Sequence, residues 1–129
     1  MTRKLRERVY AKCGGHCAYC GREITMKEMQ VDHLTPLYRN DTAEALAKDG
    51  IEKGTDDFSN LMPSCRACNF RKGTLSLEVF RQEIRSQCDR AIERSFQVRM
   101  SLAYGLLEHH DHEIKFYFEK IADKESEEL

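Results

Sequence analysis

The chain has 129 residues, 33 % of them charged and 40 % hydrophobic, a balance that fits one globular domain and excludes wholesale disorder. No run approaches the ~18 consecutive apolar residues of a spanning helix, and the basic start MTRKLRERVYAKC lacks the apolar core of a signal peptide, so a cytoplasmic location is expected. The net charge of −1 conceals blocks of +5 over residues 1–22, −5 over 23–64, +4 over 65–100 and −5 over 101–129. Two basic blocks around an acidic one can set Lys and Arg beside phosphates while carboxylates hold a cation.

Thr2 is the expected cap of a short basic helix on which Leu5 and Val9 recur at helical spacing, stopped by Gly14-Gly15. The segment EMQVDHL alternates around Met29, Val31 and His33 and reads as a strand that Pro36 ends, with Asp32 and His33 near its end. Residues 37–59 form a polar, turn-rich excursion in which Thr42 caps a short helix ending at Gly50. NLMPS reads as a second short strand, and CRACNFRKG as a helical turn stopped by Gly73. Ser76 opens the longest helix, whose expected inner face is Leu77, Val79, Phe80, Ile84, Cys88, Ile92 and Phe96. After Gly105 the period changes to two, and LLEHH, a HDHE turn and IKFYFEKI predict a C-terminal hairpin followed by a frayed acidic tail.

Six cysteines stand at 13, 17, 20, 65, 68 and 88. In a reducing compartment structural disulfides are rare, whereas two Cys-x-x-Cys knuckles can set four thiolates tetrahedrally around zinc. The expected ligands are Cys17, Cys20, Cys65 and Cys68, closing a loop of 44 intervening residues. Cys13 is at most an alternative ligand, and Cys88 reads as a small core residue. His16 is expected outside the coordination shell, and the HHDH run at 109–112 as exposed turn residues rather than ligands.

The string VDHLTPL, the segment DDFSNLMPSCRACNFRKG and the upstream CAYC resemble the HNH endonucleases, in the version with asparagine at the third signature position. The resemblance covers residues 13–75 and implies an α+β fold: a ββα-metal (His-Me finger) core stapled by a four-cysteine zinc site. The N-terminal helix precedes that core. The long helix and hairpin form an extension over 76–122, and the acidic tail covers 123–129, all within one domain at 1–129. By resemblance His33 is the general base, Asp32 and Asn69 are ligands of a catalytic Mg²⁺ or Mn²⁺, and Asn60 orients the base and its loop. Those roles suit the residue types. Imidazole titrates nearest neutral pH, and carboxylate and amide oxygens suit a hard cation better than thiolates do. Zinc held by four cysteines has no open position and is structural.

The resemblance further implies a DNA partner, read here as duplex, cut to 5′-phosphate and 3′-hydroxyl ends. Arg71 and Lys72 are the candidate phosphate contacts, with Arg66 weaker, and the basic first helix and the arginines of the long helix extend the expected footprint. The excursion at 37–59 is longer and more acidic than in minimal family members, and most of its acidic residues, Asp41, Asp49, Asp56 and Asp57 among them, are expected to point away from DNA. The extension can serve a homodimer or a protein partner. The alternative function is a non-catalytic, zinc-stapled nucleic-acid-binding or protein-interaction module, as in a phage or defence factor. Small members of the family are associated with phages, mobile elements and host defence.

Overall fold

Thr2 caps the first helix, its hydroxyl accepting from the Leu5 N–H, and α1 runs Arg3–Ala11 with Val9 as its buried residue. The structure is a computed structural model and describes residues 1–128. After the first cysteine knuckle come β1 (Gln30–His33), α2 (Ala43–Lys48), a 3-10 turn at Phe58–Asn60, β2 (Leu61–Ser64) and α3 (Arg66–Lys72). Then follow α4 (Leu77–Arg94), α5 (Phe96–Ala103) and α6 (Tyr117–Glu127). Two compact units result, one of Met1–Leu77 with Lys115–Leu129 and one of Glu78–Ile114. No helix among the described residues is long and apolar enough to cross a membrane.

The first unit is built around an antiparallel pair in which Asp32 stands opposite Met62 and His33 opposite Leu61. Pro63, which cannot donate to a ladder, is accommodated because the sheet has only two strands. Its carbonyl instead accepts from the Ala18 N–H at 2.8 Å, so the first knuckle rests on β2. Buried Val9, Tyr19, Met29, Leu61 and Phe116 fill the interior. Thr42 caps α2 as the sequence predicts.

The predicted C-terminal hairpin does not form: among the described residues β1 and β2 are the only sheet strands, and IKFYFEKI enters a helix. The cause is tertiary. The N–H groups of Tyr117 and Phe118 bond to the carbonyls of Tyr19 and Ala18, at 3.0 and 2.9 Å, while Glu119 reaches back to cap the Phe116 N–H at 2.9 Å. Phe116 and Phe118 then lie edge-on to the Tyr19 ring, with centroids 5.6 and 6.2 Å away. The alternation read as a strand is a helix entry, and the acidic tail, expected to fray, continues as α6 through Glu127.

The long helix is also shorter than predicted. Ser95 leaves the helical conformation and its hydroxyl accepts from the Val98 N–H, capping α5 in place of a continued α4. Of the expected inner face only Phe80 is buried; Phe96 and Val79 are exposed, and so is Cys88, which is therefore not a core residue. Arginines of this unit pair locally, Arg81 with Glu78 and the Ile114 carbonyl, Arg85 with Asp111 and Arg90 with Glu83.

Candidate active site

The two knuckles come together. The sulfurs of Cys17, Cys20, Cys65 and Cys68 all lie within 4.8 Å of one another, and no cysteine forms a disulfide. A zinc tetrahedron with Zn–S bonds of about 2.3 Å has sulfur–sulfur edges of about 3.8 Å; Cys20 and Cys65 are 3.8 Å apart. The donor set and its spacing therefore fit zinc. Cys65 also caps α3, its sulfur accepting from the Cys68 N–H, which joins the second knuckle to the helix that follows. The Cys17 thiol is drawn down to about 4, chiefly by a hydrogen bond from Cys68 and also by backbone N–H groups, against the opposing effect of burial. Cys68 is pushed up by sharing that proton and by burial. His16 lies outside the cluster, bonded through Nδ1 to the Gly21 carbonyl, with its ring tilted against that of Tyr117.

The end of β1, where Asp32 and His33 stand, has a different setting from the cysteine cluster. Asp32 is 7 % exposed, and its Oδ2 accepts from the Tyr19 hydroxyl at 2.5 Å and faces Lys72 Nζ at 3.1 Å. Burial and the neighbouring carboxylate push the Tyr19 hydroxyl far above its ordinary range, so it stays protonated and donates. Lys72 is fully buried and also donates to the His33 carbonyl at 2.9 Å. The expected phosphate contact at Lys72 is thus corrected: an ammonium group enclosed by the protein and spent on Asp32 and a carbonyl does not reach a DNA backbone. Arg66 and Arg71 remain exposed on α3, with Asn69 half-buried between them on the same helix.

Asn60 is wholly committed. Its Oδ1 accepts from the Thr35 N–H at 2.8 Å, and its Nδ2 donates to the carbonyls of Thr35 and Thr55 at 2.9 and 2.8 Å. One amide thereby clamps the segment after His33 to the acidic excursion. His33 is half-buried, and its Nε2 lies 2.8 Å from Asp56 Oδ1. Asp56 is one acidic residue of the excursion that does not point away: it meets the imidazole directly.

The first helix is less of a nucleic-acid surface than its charge suggests. Arg6 bonds the carbonyls of Met26 and Met29, Lys12 bonds those of Phe58 and Leu61, and the Arg8 and Lys12 cations sit 4.3 and 4.1 Å from the Phe58 ring centre. Partial burial lowers the Lys12 ammonium below its usual range. A second feature went unseen in the sequence: Phe70 on α3 is 80 % exposed and lines an open cleft of about 830 Å³ with Arg22, Lys27 and Arg66. Helical position alone gave no sign that this ring would face outward.

Residues 17–75 match the HNH endonuclease family. Among solved structures, the chain is similar to the Type II-C Cas9 enzyme from Actinomyces naeslundii, with 24 % identity and a TM-score of 0.49. That similarity covers 62 % of this chain and 8 % of the Cas9 chain. No curated protein matches the chain.

Proposed function

The chain carries an HNH endonuclease domain over residues 17–75, and from this premise we propose that it is a metal-dependent endonuclease that hydrolyses DNA phosphodiester bonds to 5′-phosphate and 3′-hydroxyl ends. The observation that carries the reading is the Asn60 clamp, which holds the loop leaving His33 at two points on Thr35 and the acidic excursion at a third on Thr55. A side chain that holds Thr35 at both its N–H and its carbonyl, two residues beyond an imidazole at a strand end, supports the geometry a general base needs.

In this reading His33 takes the proton of the attacking water, and Asp32 with Asn69 would hold Mg²⁺ or Mn²⁺. Both observed contacts of Asp32 fall on Oδ2, leaving Oδ1 and the Asn69 amide as hard oxygen donors suited to such an ion. The cation, when bound, neutralises charge on the scissile phosphate and the leaving oxygen. Tyr19 and Lys72 fix the Asp32 carboxylate, and Arg71 draws the phosphate backbone towards α3. The four cysteines hold structural zinc, a thiolate site that suits the reducing cytoplasm.

A second reading, a non-catalytic nucleic-acid-binding module, is favoured by one observation: Asp32 already has a cationic partner in Lys72. End-group analysis of a labelled duplex separates the two. The nuclease reading expects cleavage that requires Mg²⁺ or Mn²⁺, is abolished by EDTA and leaves ends that ligase can rejoin. Binding of the duplex without cleavage under any divalent ion would favour the second.

A further inference from the structure

Resting on the nuclease reading, we propose that Asp56 is a positioning residue for His33, holding the imidazole in the tautomer with its proton on Nε2 and its lone pair on Nδ1. His33 Nε2 and Asp56 Oδ1 are 2.8 Å apart. An ionised carboxylate only accepts, so Nε2 is the donor, and in a neutral ring the other nitrogen is then the base. The bond thus selects which nitrogen can take a proton from water and restrains the ring about its long axis.

The acidic excursion is tied down on both sides of Asp56. At Gly54 a β-carbon would stand 1.9 Å from the Thr35 carbonyl oxygen, so only glycine lets the two backbones pass this closely. The Gly54 N–H bonds the Pro36 carbonyl at 2.8 Å. Asn60 holds the Thr55 carbonyl, and the Thr55 hydroxyl donates to Asp57 Oδ2 at 2.8 Å while accepting from the Asp57 N–H. Asn60 also holds Thr35. A single amide therefore fixes both the loop leaving the imidazole and the loop that brings the carboxylate to it, which makes the pairing a product of backbone architecture rather than a chance meeting of surface charges.

The two roles open to an acid at this position predict opposite kinetics. A carboxylate beside a phosphate-binding site repels substrate, so its removal leaves KM unchanged or lowers it. If it positions the base, its removal nevertheless lowers kcat.

The experiment compares zinc-loaded full-length wild type with Asp56→Ala, Asp56→Glu and His33→Ala on duplex DNA with saturating Mg²⁺, and reads the His33 tautomer from the ring-nitrogen chemical shifts. The proposal expects kcat to fall about tenfold or more in Asp56→Ala, with no rise in KM, partial recovery in Asp56→Glu, and a His33 ring that is Nε2-protonated in wild type and mixed in Asp56→Ala. An unchanged or raised kcat in Asp56→Ala, or an unchanged tautomer, overturns it while leaving the nuclease reading intact. Wild type that cuts no better than His33→Ala defeats the nuclease reading and the positioning role with it.

Discussion

Lys72 Nζ lies 3.1 Å from Asp32 Oδ2 with the lysine side chain entirely enclosed, so the last turn of α3 is bolted to β1 by a buried ion pair. Breaking such a pair from one side leaves an uncompensated charge in the interior, at a cost of about 3–5 kcal/mol. Lys72→Met should therefore lower the denaturation midpoint of the zinc-loaded protein far more than Arg71→Met, its exposed neighbour. Asp32→Asn combined with Lys72→Met should recover part of the loss, as read from a double-mutant cycle. Equal midpoints for the two single methionine variants would show that the pair bears no load.

Asn60→Ala removes three hydrogen bonds whose backbone partners then lose their protein contact. At about 1 kcal/mol each the expected destabilisation is about 2–3 kcal/mol. Amide exchange reports it locally, with the Thr35 N–H losing protection while the Val9 N–H in α1 keeps it. Asn60→Asp keeps the acceptor but sets a carboxylate oxygen against the Thr35 and Thr55 carbonyls, and should be no more stable than alanine.

The zinc knuckles and the imidazole divide their labour. Cys65→Ser removes a thiolate ligand while leaving a hydroxyl able to cap α3, so the loss of zinc alone should cost cooperative unfolding of the first unit. His33→Ala should retain both. Because zinc binds thiolates, protons compete with the metal: acidification should release zinc and raising the pH should restore it, measured with a chromophoric chelator. Zinc retained at full stoichiometry by Cys65→Ser would contradict the four-cysteine assignment.

Basic residues of α1 and α3 should behave differently towards DNA. Lys12 is engaged with two carbonyls and the Phe58 ring, so Lys12→Ala should lower stability and leave the salt dependence of duplex binding unchanged. Arg71 is exposed on α3, and Arg71→Ala should weaken binding and reduce the slope of log K against log salt by about 1. The reverse pattern would relocate the DNA surface to the first helix.

Most of the local signals are legible in the sequence. Thr2 and Thr42 cap the helices expected of them and Gly73 stops α3, because caps and glycine stops act over a few residues; the two cysteine knuckles meet across 44 residues because four thiolates share one ligand chemistry. Asp32 and His33 end β1 for the same reason. The C-terminal segment is not legible as a helix because alternation at Ile114, Phe116 and Phe118 is indistinguishable from a strand until Tyr19 and Ala18 supply the carbonyls. Ser95 carried a cap signal that the apolar period of the preceding helix masked. Lys72 and Asp56 were assigned from charge alone, yet one is buried by a carboxylate 40 positions earlier and the other is drawn to an imidazole 23 positions earlier. Net charge along a chain does not encode such pairings.

The central claim is that His33 performs hydrolysis in a fold that zinc holds independently. Supercoiled plasmid incubated with wild type and His33→Ala of matched zinc content, each with Mg²⁺, Mn²⁺ or EDTA, tests it most directly. The account predicts conversion to open-circular or linear DNA by wild type with a divalent ion, none with EDTA, and none by His33→Ala under any condition. Equal conversion by the two proteins, or none by either, would contradict it.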